Sequence, residues 1–377
     1  MLEKRTENTR SAAMNETTQA PPVDLDNPEY YINRELSLLA FNRRVLELGR
    51  DETMPLLERL RYLCISSSNL DEFFEIRVAG LKQQIELGIN TTGPDGMSPQ
   101  AQFEAVQEEA HRLVDAQYRL LNEELIPQLA EEGIRFGRRT HWNDEQRQWL
   151  HRYFRRELLP VLSPLGIDPA HPFPRILNKS LNFIITLEGR DAFGREGNIA
   201  VVQAPRSLPR IIPLPREVAR APYEFVFLSS IIHAFVDELF PGMEVTGCYQ
   251  FRVTRNSDLF VDEEETEDLK RALEGELPSR NYGAAVRLEV ADNCSRKAID
   301  FLLAQFHLTE ADLYQVNGPV NLRRLLAVPD LVDRPDLKFP PFTPGLPDAL
   351  QGQESVFDAI AAGDILLHHP YQSFQPV

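Results

Sequence analysis

The chain has 377 residues, enough for two or three domains with a sizeable core. Its 42% hydrophobic and 26% charged residues are those of a globular protein, and no apolar run approaches the roughly 18 residues that span a bilayer. A net charge of −17 excludes a general nucleic-acid or polyanion binder, so any phosphate site has to be a local basic concentration within an acidic whole.

Residues 1–28 are polar, carry charges of both signs and lack an apolar h-region, so they read as a disordered arm and not as a secretory signal. Three helices follow, the first from about Asn33 to Gly49, with Pro55 at the first position of the second. The stretch LLERLRYLCISSSNLDEFFEIRVAGLKQQ, Leu56 to Gln84, reads as two amphipathic helices. Leu56, Leu57, Leu60, Leu63 and Cys64 line one; Leu70, Phe73, Phe74, Val78, Leu81 and Ile85 line the other. Between them Ser66, Ser67, Ser68 and Asn69 form a polar hinge. Asn69 is its N-cap, Glu72 stands three residues on, and Asp71 and Glu72 suit the positive end of the helix dipole. Adjacent side chains on a helix point about 100° apart, so Asp71 and Glu72 do not form an acid–base pair. After a turn at Gly93 to Gly96, Ser98-Pro99 opens a long helix to about Glu124.

From Arg138 the pattern changes. A basic aromatic helix begins at a cap on Asn143, with Trp142 folded back on the preceding turn, and Pro164, Pro169, Pro172 and Pro174 then interrupt any helix. Strands are predicted at Leu181 to Leu187, Ile199 to Gln203, Tyr249 to Thr254 and Ala285 to Val290. Helices are predicted at Ser229 to Leu239, Glu265 to Glu274 and Arg296 to Phe306. The mixture implies an α+β domain over 138–335 beside a helical bundle over 29–137. RPDLKFPPFTPGLP, from Arg334, reads as a linker; a helix at Ser355 to Ala362 and a strand at Asp364 to His368 follow. Residues 336–377 are too few for a core of their own and read as the linker and start of a third domain.

No P-loop, dinucleotide fingerprint, HExxH or Cys-x-x-Cys occurs. Cys64, Cys248 and Cys294 offer neither a disulfide framework nor a zinc pattern, as in a cytoplasmic protein. The arginine clusters at Arg152, Arg155 and Arg156, at Arg206, Arg210, Arg216 and Arg220, and at Arg323 and Arg324 each read as a solvated face when taken singly. His171, with Arg175 and Lys179 nearby, is either a hydrogen-bonded loop histidine or part of a phosphate-facing turn. The amide of Asn69 either caps its helix or meets a polar ligand.

SSSNLDEFFEIRVAGLK, with NRELSLLAFNRRVLE upstream, resembles the N-terminal domain of bacterial polyphosphate kinases. Further matches are HPFPRILNKSLNF, FLSSIIHAF, FPGMEVTGCYQFRVTRNSDL and DILLHHPYQSF, so the resemblance covers Tyr30 to Val377. It implies a helical N-terminal domain, an α+β head domain that makes dimer contacts, and the start of a phospholipase-D-like α/β domain. It implies an enzyme that reversibly transfers the terminal phosphate of ATP to inorganic polyphosphate through a phosphohistidine, with Mg2+, as a homo-oligomer. ATP/ADP and polyphosphate are then the partners, without nucleic acid or a transmembrane segment, in the cytoplasm or peripherally at the inner membrane. Asn69 stands where the family contacts ATP. The phosphohistidine and the metal-binding arginines belong to a catalytic half beyond Val377, so His368 and His369 do not take that role and this chain alone is expected to be inactive. A non-catalytic assembly or regulatory module, or a partial gene product, is the alternative.

Overall fold

The computed structural model describes residues 24–167, 173–189, 199–257, 283–353 and 355–373. His171, the Glu265 to Glu274 helix and the arm as far as position 23 lie outside them.

Asn33 opens the first helix, α1 (Arg34–Arg50), by accepting from the backbone N–H groups of Glu35 and Leu36, both at 3.0 Å. The second, α2 (Leu56–Phe73), starts one residue after Pro55, which is the N-cap and not the first helical residue. It then runs unbroken through Ser66, Ser67, Ser68 and Asn69. There is no hinge, Asn69 is not an N-cap, and Asp71 and Glu72 lie near the helix's C-terminal end. Serine and asparagine cost a helix only about 0.5 kcal/mol each relative to alanine, and the apolar stripe on either side outweighs that. Leu57, Leu60, Leu63, Cys64, Leu70 and Phe74 are all essentially inaccessible. The irregularity falls later, in a π-helical turn at Phe74–Val78 that leads into α3 (Ala79–Glu86).

The long helix α4 (Pro99–Arg119), capped by Ser98, passes through a second π-helical turn at Leu120–Leu125 and continues as α5 (Ile126–Glu131), beyond the expected end at Glu124. A short strand, β1 (Ile134–Phe136), pairs in parallel with β6 (Tyr223–Phe227), which also pairs with β5 (Ile211–Pro213). Between them, α6 (Asp144–Tyr153) begins with the expected cap: Asn143 and Gln146 bond reciprocally, and the Trp142 indole N–H donates to Gly137 O at 3.2 Å.

The larger sheet has six strands in the order β2-β4-β3-β7-β8-β9. They are β2 (Pro164–Gly166), β3 (Asn182–Gly189), β4 (Ile199–Gln203), β7 (Met243–Arg255), β8 (Ala285–Ala291) and β9 (Leu313–Val316). Only the β8–β9 pair is parallel, because α8 (Arg296–Phe306) connects those strands as a crossover. One sheet face packs on α8 and the other, further along, on α6 and α7 (Leu228–Phe235).

The third core belongs to the helices, and the chain returns to it late. Tyr314, Val316, Val320, Leu322, Leu325, Val328 and Val332 join Leu57, Leu60 and Leu63 in one apolar cluster. They come from β9, a 3-10 segment at Leu322–Ala327, α9 (Val328–Leu331) and the residues flanking them. Thus residues on both sides of position 137 share a core. In the last described stretch, the helix expected from Ser355 begins one residue later, as α10 (Val356–Ala362) with Ser355 as its N-cap, and Asp364 to His368 is irregular, not a strand. The backbone there turns back, with Gln372 N donating to His368 O at 2.9 Å, so no neighbouring strand is reached.

Candidate functional site

Two asparagines face each other where α1 crosses α2. Asn42 Nδ2 donates to Ser66 O at 2.9 Å, and Asn69 Nδ2 lies 3.4 Å from Asn42 Oδ1. The second contact is long for an amide pair, so Asn69 keeps both donor and acceptor capacity. The serines divide. Ser66 is buried and its hydroxyl accepts from Gln117 Nε2 at 2.9 Å, and Ser67 is buried too. They are packing residues, and only Asn69 of the four lines an opening.

That opening is a cavity of about 280 Å³, lined by Leu38, Phe41, Asn42, Asn69, Glu72 and Ile76 among others. Phe41 is 51% exposed, and Leu38 and Ile76 are exposed beside it. One wall is fixed by Arg77, whose Nε and Nη2 donate to the two Glu35 carboxylate oxygens at 3.0 and 2.8 Å. The result is an apolar platform edged by amides, suited to a flat, partly polar group. Glu72 is the one carboxylate lining the cavity, and among the described residues no three His, Cys, Asp or Glu side chains converge as metal ligands would.

Asp71, two positions from Asn69, points the other way, into the sheet. Arg252 and Arg287 of β7 and β8 bind it, Arg252 also binds Glu289, and the Arg287 guanidinium sits 4.5 Å from the centre of the Phe74 ring. All four charged side chains are buried and their charges balance. Burial would raise the Asp71 carboxyl, but Arg252 and Arg287 outweigh it and hold the group below its ordinary value. The quartet clamps α2 to the sheet. It replaces the dipole role expected of Asp71.

The π-helical turn directs Glu75 to a neighbouring loop, where Asn178 Nδ2 donates to it at 2.5 Å and Lys179 Nζ at 2.7 Å. Lys179 is therefore an anchored residue, with a left-handed backbone at φ 55. The arginine clusters separate in space. Arg155 pairs with Glu238 and Arg156 with Glu157 on exposed surface, while Arg220 bonds to His141 O. Arg206 and Arg210 instead meet Arg323 and Arg324 across a cavity of about 850 Å³. Sequence reasoning missed this convergence because the two pairs belong to distant segments. It also missed Asn42, although a polar residue within the stripe of Leu39 and Leu46 was a readable signal. His368 and His369 are not buried, and His368 rests edge-on against Tyr371.

Comparison with known proteins agrees with this architecture. Residues 31–137 match the family described as the polyphosphate kinase N-terminal domain, and 145–328 match the polyphosphate kinase middle domain. The chain is 56% identical over 354 residues to a polyphosphate kinase of Pseudomonas syringae pv. tomato, covering 94% of this chain and 48% of that protein. It is 59% identical over 344 residues to that of Neisseria gonorrhoeae, covering 91% and 50%. The crystal structure of polyphosphate kinase from Porphyromonas gingivalis superposes with a TM-score of 0.70 at 25% identity, over 91% of this chain and 47% of that one. The protein is a mixed helix-and-sheet multidomain member of the polyphosphate kinase family. More particularly, it carries that family's N-terminal and middle domains, and it spans about half the length of the curated relatives it matches.

Proposed function

We propose that this region forms one wall of the ATP site of a polyphosphate kinase, an enzyme that moves the terminal phosphate of ATP reversibly onto inorganic polyphosphate. The observation that carries the reading is the opening at Asn69, where a two-sided amide stands beside the exposed Phe41, Leu38 and Ile76. The apolar platform takes the face of adenine, and the Asn69 amide donates to and accepts from the base edge or a ribose hydroxyl.

Phosphoryl transfer through a phosphohistidine belongs, on this reading, to the rest of the enzyme, in a phospholipase-D-like α/β half. The residues around Asn69 do not fit a magnesium site, since Glu72 is the sole carboxylate on the cavity wall. The α+β unit over 138–335 supplies homo-oligomer contacts. The enzyme works in the cytoplasm or peripherally at the inner membrane. No helix among the described residues is long and apolar enough to cross a membrane.

Asn69→Ala tests the site. Alanine favours the helix interior, so the fold should hold while ATP affinity falls about tenfold, the order expected for a lost ligand hydrogen bond. Asn69→Asp should weaken ATP further by placing negative charge beside the nucleotide. Unchanged ATP titration in both variants would remove Asn69 from the site.

A further inference from the structure

Asn42 stands on the apolar face of α1, between the inaccessible Leu39 and Leu46, and is itself 4% exposed. A buried amide at such a position has to be fully specified by its partners. Its orientation is fixed without ambiguity, because only the NH2 end of an amide can donate to a carbonyl, and Asn42 Nδ2 lies 2.9 Å from Ser66 O. That acceptor belongs to the backbone of α2, and the Ser66 hydroxyl is held in turn by Gln117 Nε2 of α4 at 2.9 Å. Asn42 Oδ1 is therefore the end turned to Asn69, whose Nδ2 it meets at 3.4 Å.

The polarity passes from one amide to the next. Turned end for end, Asn69 would set its own Oδ1 against Asn42 Oδ1, two acceptors with no proton between them. Even at 3.4 Å the contact thus favours one orientation of Asn69, although it is too long to use up the donor. Asn69 Oδ1 receives no hydrogen bond from any described residue, and one N–H of Nδ2 is left over. Both Asn42 and Asn69 line the cavity beside Phe41, so an occupant there meets an amide whose acceptor and donor ends are already assigned.

We propose that Asn42 is a positioning residue that makes this cavity distinguish 6-amino from 6-oxo purines by fixing which end of the Asn69 amide accepts. The inference rests on the ATP reading of Asn69 for the ligand; the role of Asn42 comes from the hydrogen-bond polarity. Adenine carries a donor at N6 beside an acceptor at N7, the pair that an asparagine amide matches with one bond accepted and one donated. Hypoxanthine carries a carbonyl at position 6 beside an N–H at position 1, which suits the same amide turned end for end. The two ends of an amide differ little in shape, so an unguided asparagine accommodates either base. Guided by Asn42, it accepts from the 6-amino group and opposes a 6-carbonyl.

The test is equilibrium titration of the full chain with ATP, inosine triphosphate and N6,N6-dimethyl-ATP, which keeps the adenine ring but has no N–H at N6. The parent should bind ATP about tenfold or more tightly than either analogue, the order expected when a site built for a hydrogen bond is left unpaired. Asn42→Ala frees the Asn69 amide, and the ATP-to-inosine triphosphate ratio should fall about fivefold or more, through tighter binding of the 6-oxo nucleotide. Asn42→Asp loses the bond to Ser66 O but still offers an acceptor to Asn69 Nδ2, so it should keep the ratio even if both nucleotides bind more weakly. A residue that only ties α1 to α2 would change both affinities together and leave the ratio alone. An unchanged ratio in folded Asn42→Ala therefore overturns the proposal. So does equal binding of ATP and inosine triphosphate by the parent, a result that needs no variant to fold. Failure of the underlying reading is separate: it shows as ATP binding indifferent to Asn69→Ala, whatever Asn42 does.

Discussion

Asp71 and Arg252 stand 181 positions apart in the sequence and meet as a buried, two-pronged pair, with N–H···O distances of 2.8 and 3.0 Å. Arg287 and Glu289 complete a quartet whose charges cancel. Removing one member leaves an unbalanced charge among buried side chains. Asp71→Asn is therefore expected to cost about 3–5 kcal/mol, read as a shift in the urea unfolding midpoint. A cost under 1 kcal/mol would mean that the quartet does not clamp α2 to the sheet.

The same pair gives a pH dependence of known sign. The Asp71 carboxyl is held below its unfolded value of about 3.9, so the stability it contributes is fully present above about pH 4 and is lost as pH falls through the lower, folded value. Acid unfolding curves of the parent and of Asp71→Asn should converge at low pH and separate above it. Parallel curves throughout the range would refute this contribution.

Because α2 is unbroken, Ser68 occupies a helix interior. Ser68→Pro should lose at least about 3 kcal/mol, whereas Ser68→Ala should lie within about 0.5 kcal/mol of the parent. A flexible joint at that point would accept the proline. Circular dichroism during thermal melting distinguishes the two outcomes.

Ser66→Ala tests the neighbouring polar contact. It leaves the buried Gln117 Nε2 without its acceptor and should destabilise by about 1–3 kcal/mol, although alanine is the better helix former. A neutral result would show that Gln117 finds another partner.

All three thiols are buried, and burial pushes Cys248 and Cys294 up to about 12 and Cys64 higher still. Native protein at pH 8 should take up iodoacetamide slowly at every cysteine, and urea should release all three together. Rapid labelling of one thiol by mass spectrometry would mark a local opening that the packing does not show.

Local signals carried much of this fold. Arg296 to Phe306 is a helix with the bounds its periodicity implies, and Ile199 to Gln203 is a strand to the residue. Asn143 caps where its spacing to Gln146 requires. The failures have a common cause, which is that distant partners decide them. Ser66 to Asn69 looks like a break because serine and asparagine favour caps, yet Gln117 and Asn42 bond to Ser66 inside a continuous helix. The strand through Met243 to Arg255 starts earlier than its β-branched run because β3 supplies a partner as far as Gly189. The meeting of Arg206 and Arg210 with Arg323 and Arg324 depends on the whole topology, and no spacing reveals it.

The late return of residues 313–332 to the helical core bears on how the protein is made. While the ribosome is still adding the sheet, Leu60, Leu63 and Cys64 have emerged without the side chains that finally cover them, Leu322, Leu325 and Val328. The nascent bundle therefore waits with one greasy flank bare, a natural holding point for a chaperone. A shorter product halted before β9 would keep that flank bare permanently and be prone to clump.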